Sequence, residues 1–66
     1  MSIVQKVFFI ENMSEDDVYK INTLLETGSL LNFKINAESK SITITGTNDE
    51  LYNAKQIVKS EGYNIL

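Results

Sequence analysis

The stretch Val7-Phe8-Phe9-Ile10-Glu11-Asn12-Met13-Ser14-Glu15-Asp16-Asp17-Val18 decides the fold. It runs as an apolar strand into a polar turn, after which Ser14 opens a helix that begins with three acids. Upstream, Ile3 to Ile10 is rich in β-branched and aromatic residues, the composition of a strand. Apolar residues occupy both alternation sets, Val7 and Phe9 on one face and Phe8 and Ile10 on the other. That pattern suits a central strand covered on at least one side. Downstream, Ser14 is a good N-cap, and Glu15, Asp16 and Asp17 fill a first turn where the helix dipole favours negative charge. Val18, Ile21, Leu24 and Leu25 then recur on one stripe, and Gly28 is expected as a left-handed C-terminal cap. The spacing predicts a first helix over Ser14 to Thr27.

Beyond this unit, Leu31, Phe33 and Ile35 alternate with Asn32, Lys34 and Asn36, a half-buried second strand. Ala37 to Lys40 is a short polar break suited to a hairpin turn. Ser41-Ile42-Thr43-Ile44-Thr45 alternates again, with the two isoleucines inward and three hydroxyls outward. Gly46 ends that strand, and Thr47 with Glu50 three residues on makes a capping box. Leu51, Ala54, Ile57 and Val58 form the second helical stripe, with Lys55, Lys59 and Glu61 solvated. Gly62 stops the helix, and Tyr63 to Leu66 supplies a short fourth strand.

The predicted order is βαββαβ within a single domain, residues 1–66. Right-handed crossovers put both helices on one face of a four-stranded antiparallel sheet, an α+β ferredoxin-like sandwich. Strands one and three are expected at the centre and strands two and four at the edges. The other sheet face is left open. Val7 and Phe9, or Phe8 in the alternative register, are expected there, flanked by Thr43 and Thr45 from strand three.

Composition narrows the function classes. The chain has 66 residues, is 42% apolar and carries a net charge of −3. A domain this small holds about 3–10 kcal/mol of net stability. Its cations are six lysines with no arginine, set against nine acids, which gives no basic footprint for nucleic acid. The apolar run Val7 to Ile10 is too short for a membrane span or a secretory h-region, so the expected location is the cytoplasm. Cys and His are both absent, which removes disulfides, thiolate–imidazole metal sites and the familiar nucleophile–base pairs.

The chain resembles the heavy-metal-associated domain of copper chaperones and metal-transporting ATPases over nearly its whole length. The resemblance rests on Phe8-x-Ile10-x-x-Met13 before the first helix, on Glu38 to Gly46 through the hairpin and third strand, and on Glu61-Gly62-Tyr63. That family holds metal with Gly-Met-x-Cys-x-x-Cys at the corner after strand one. Aligned on Met13, the two cysteine positions fall on Glu15 and Val18. Aligned on the apolar stripe of the helix, they fall on Ser14 and Asp17. Neither register supplies a thiolate, and copper(I) needs thiolate or thioether sulfur. Met1 and Met13 are the only sulfurs in the sequence. The resemblance implies the scaffold, and the residues remove its soft-metal chemistry. It also implies that Tyr63 packs near the strand-one corner, a half-buried anchor with a wet hydroxyl.

Other readings weigh less. Glu15, Asp16 and Asp17 diverge by about 100° per residue on a helix, so capping fits them better than a Mg²⁺ or Ca²⁺ site. The first strand is similar to that of RNA-recognition domains, but strand three offers no aromatic and the charge is acidic. Acylphosphatases share the topology, yet their chemistry implies an arginine that this chain lacks. The expectation is a non-enzymatic interaction or regulatory module with no cofactor, no soft metal, no nucleic acid and no membrane. Its candidate interaction face is Val7, Phe9, Thr43 and Thr45, and its partner another protein or a second copy. The alternative is a metal-handling accessory protein that binds a hard or borderline cation through carboxylates of the first-helix corner. A small-ligand sensor at that corner ranks third.

Overall fold

The structure, a computed structural model, describes residues 2–28 and 32–66. Leu31 of the expected second strand and Met1 lie outside them. Five elements follow in order: β1 (Val4–Phe9), α1 (Glu15–Thr27), β2 (Phe33–Asn36), β3 (Ser41–Gly46) and α2 (Asn48–Ser60). The protein is α+β, with two helices and a three-stranded antiparallel sheet in the order β1-β3-β2.

The sequence period sets the two layers. Phe8 faces Ile42, Lys6 faces Ile44 and Val4 faces Gly46 across β1 and β3, while Ile35 and Phe33 face Ile42 and Ile44 from β2. Opposed residues share a sheet face, so these form one surface. Against it pack Ile21 and Leu25 from α1 and Leu51, Ala54 and Val58 from α2, with Ile10 and Met13 closing one end. Both helices therefore cover the same side of the sheet.

The caps follow local chemistry. Ser14 precedes α1 in extended conformation, as its residue type dictates. At α2, Thr47 Oγ1 accepts from the Glu50 N–H (3.3 Å) and Glu50 Oε1 accepts from the Thr47 N–H (2.9 Å), which realises the capping box. In the β2–β3 turn, Asn36 Oδ1 accepts from the N–H groups of Glu38 (2.9 Å) and Ser39 (3.2 Å). That Asx turn pre-forms the hairpin.

Four expectations need correction. The fourth strand shrinks to a single antiparallel bridge, Ile10 with Ile65. The Glu11 and Leu66 N–H groups donate to the carbonyls of Asn64 (2.9 Å) and Phe9 (2.8 Å) beside it. Among the described residues β3 is consequently the one central strand, and β1 is an edge strand for most of its length. Gly28 has φ −80°, so it is not a left-handed cap. A Cβ there would stand 2.5 Å from Ile57 Cδ1, so the missing side chain lets the end of α1 approach α2. Finally, Ser41 is buried and its hydroxyl lies 2.6 Å from that of Ser39, rather than facing water.

Candidate functional site

The sheet face away from the helices is built by the odd-numbered residues of β1 and β3. Three cross-strand rows run over it: Gln5–Thr45, Val7–Thr43–Lys34 and Phe9–Ser41–Asn36. The four residues expected on the interaction face, Val7, Phe9, Thr43 and Thr45, thus come together, and Phe8 is on the helix side. Val7 and Phe9 are 50% and 49% exposed although they sit within a strand. Both threonines are half-buried between neighbouring rows.

Gln5 and Lys34 join this face, and a pure apolar–polar count passes over them. The signal was present: Gln5 shares the parity of Val7 and Phe9, and Lys34 pairs with Thr43 once the hairpin closes. A shallow depression of about 420 Å³ lies among Gln5, Asn32, Phe33, Lys34, Thr43 and Thr45. Its rim is amide, hydroxyl and ammonium; Phe33 borders it, although that side chain packs against the core on the helix side.

The edge of β1 is the second feature. The Ile10 N–H donates toward β3, to the Lys40 carbonyl (2.8 Å), whereas the Phe9 carbonyl accepts from Leu66 on the other side. Backbone groups alternate sides along an antiparallel strand. Those of Gln5 and Val7 therefore point outward, and among the described residues no strand pairs with them.

The corner between β1 and α1 holds the positions matched to the metal loop, and here they have structural work. Met13 is 2% exposed and belongs to the core. Val18 packs against that core from α1. Glu15 is exposed. Asp17 Oδ2 accepts from the Ser14 N–H and the Ser14 hydroxyl, both at 3.0 Å. The other oxygen, Oδ1, accepts from the Tyr63 hydroxyl at 2.8 Å.

Those donors hold the Asp17 carboxyl below its ordinary range, the Ser14 N–H most, then Tyr63, then the Ser14 hydroxyl, with a further contribution from the Lys20 charge. Burial, then the hydrogen bond and charge of Asp17, then the charge of Glu61, push the Tyr63 phenol up to about 12. Lys20 completes the group, its Nζ 6.0 Å from the Tyr63 ring centre and 3.8 Å from Glu61 Oε2. The Tyr63 hydroxyl is thus bonded to protein, where a wet hydroxyl was expected.

With Asp17 occupied by its own donors and its neighbours diverging, the acidic turn does not converge. Among the described residues no three Asp, Glu, Cys or His side chains gather around a point that could hold an ion. No helix among them is long and apolar enough to cross a membrane. Comparison with protein-family models, with curated proteins and with solved structures finds no match to this chain.

Proposed function

We propose that this protein is a non-catalytic interaction or regulatory module on a ferredoxin-like scaffold, with the open sheet face as its contact surface. The observation that carries the reading is the pair Val7 and Phe9, half-exposed and adjacent on a regular strand, framed by Thr43, Thr45, Gln5 and Lys34. An apolar centre with a polar rim is the anatomy of a protein-binding patch. The depressions that border this face are shallow and open, which suits a macromolecular surface better than a small ligand.

The resemblance to the heavy-metal-associated domain belongs to the same proposal. In this reading the scaffold has kept its layers and lost its soft-metal chemistry, since the sequence holds neither Cys nor His. The corner that holds metal in that family is here taken up by the Ser14–Asp17–Tyr63 hydrogen bonds.

A photo-crosslinking residue at Thr43, in the middle of the face, tests the proposal in the producing cells. The expected result is a discrete protein adduct that disappears when Phe9→Ser is added and does not form from the same crosslinker at Tyr52 on α2. Circular dichroism of the Phe9→Ser variant must stay native. Adducts of equal yield from both sites, or none from Thr43, would sink the reading.

A further inference from the structure

We infer that β1 pairs edge to edge with β1 of a second copy of this chain, antiparallel, with Gln5 opposite Gln5. The inference rests on the interaction-module reading and names one partner for it. Three observations support it.

The first is the extent of the free edge. Outward-pointing backbone groups belong to Gln5 and Val7, with Ile3 next in the same alternation if the strand is extended by one residue. Among the described residues the free stretch ends at Phe9, whose carbonyl already accepts from Leu66. The strand addresses solvent there with alternating donors and acceptors, the template for adding another strand.

The second is register. A two-fold pairing must bring outward residues opposite outward residues. Centring on Lys6 would set two lysines face to face, which like charges disfavour. Centring on Val7 would need the Phe9 backbone, which the C-terminal segment covers. Centring on Gln5 pairs Ile3 with Val7 twice and Gln5 with Gln5 once, satisfying every outward N–H and C=O from Ile3 to Val7. It also lays Ile3, 64% exposed, across the strand gap from Val7 on the open face.

The third is charge. In this register Lys6 lies opposite Val4 of the other copy, on the helix side. Val4 pairs with Gly46, and a Cβ on Gly46 would stand 2.9 Å from Glu50 Oε1. The Glu50 carboxylate is therefore two strand spacings, about 10 Å, from the incoming Lys6 backbone, a gap that the lysine side chain largely closes. A lysine on an edge strand ordinarily discourages pairing. Here it meets an acid in one register and another lysine in the competing one, so it selects. The product is a continuous six-stranded sheet with both open faces on the same side.

Amide exchange on the isotope-labelled full chain, from micromolar to millimolar concentration, tests the pairing directly. The Gln5 and Val7 amides are expected to slow about tenfold or more as concentration rises, while those of Lys6 and Phe8, bonded to β3, are protected throughout. Gln5→Pro removes an outward N–H without touching the β3 ladder, and is expected to weaken association about tenfold, as measured by sedimentation. If that variant fails to fold, the wild-type exchange pattern alone separates paired from unpaired β1 edges. Free exchange of Gln5 and Val7 at every concentration, or a monomer at millimolar concentration, overturns the inference and leaves the Thr43 crosslinking result standing. A dimer whose intermolecular contacts join Phe9 and Thr43, instead of Ile3 and Val7, overturns edge pairing but supports the open-face reading.

Discussion

At the scale of single residues, the Tyr63–Asp17 hydrogen bond ties the last segment of the chain to the first turn of α1. Each partner shifts the other's titration, and the signs can be worked out. Tyr63 holds its proton more tightly when folded, so its contribution to stability is whole below pH 10. It is lost between pH 10 and about 12, as the unfolded chain ionises first. Asp17 runs the opposite way: its contribution is present above the ordinary carboxylate range and is lost as pH falls through the depressed value. Asp17→Asn is therefore expected to bring the Tyr63 phenol down from about 12 toward its ordinary 10, read by ultraviolet titration of the folded protein. Tyr63→Phe should return the Asp17 carboxyl toward its ordinary value, followed by carboxyl-carbon NMR. Only half of this was legible in the sequence. Ser14 was legible as an N-cap from its residue type and Asp17 as a first-turn acid favoured by the helix dipole, and both signals are local. The partner of the tyrosine hydroxyl lies 46 positions away and is fixed by where the chain end docks, which no local spacing encodes.

At the scale of elements, the two glycines that follow helices make a controlled pair. Gly62 has φ +98° with its N–H donating to the Lys59 carbonyl, a left-handed stop after α2. Gly62→Ala is expected to cost about 1 kcal/mol through backbone strain, although nothing lies near the added methyl. Gly28 has ordinary φ, and its methyl would meet only the flexible tip of Ile57. Gly28→Ala should cost less, because a small shift of that side chain is offset by reduced freedom of the unfolded chain. Urea unfolding of the two variants, compared with wild type, ranks them; an equal or reversed order would refute the distinction. Thr47→Ala removes a cap hydroxyl from α2 and is expected to cost about 1 kcal/mol in the same assay. Sequence reading located the helices from their period and caps, β2 and β3 from their alternation, and β1 from its β-branched and aromatic composition. It expected the left-handed conformation at Gly28 and only a stop at Gly62, the reverse of the observed angles, because composition marks where a helix stops, not the backbone angle at the stop. It also overstated the last strand. Tyr63 turns to α1 and Asn64 stays exposed, which leaves Ile65 alone to bridge Ile10.

For the molecule as a whole, the consequential outcome is asymmetry between the two sheet faces. The alternation of β3 and the pairing of β1 predicted it, and the register selected Val7 and Phe9 over Phe8 for the open side. The expectation of a central β1 failed, because edge or centre depends on whether four terminal residues make a ladder or, as here, a single bridge. The same asymmetry permits a quantitative contrast between neighbours. Ile42 is fully buried beneath both helices, so truncation to alanine removes packed methyl groups and leaves a cavity, at a cost of about 2–5 kcal/mol. Val7, one residue before the Phe8 that faces Ile42, is half-exposed, and its truncation should cost below about 1 kcal/mol. Against the roughly 3–10 kcal/mol available to a domain of this length, Ile42→Ala is expected to be largely unfolded at moderate urea. Val7→Ala should keep a transition close to that of wild type. Equilibrium denaturation at a concentration that keeps the chain monomeric separates folding from association. Equal losses at the two sites would mean that both faces of the sheet are covered, and the open-face architecture would fall with them.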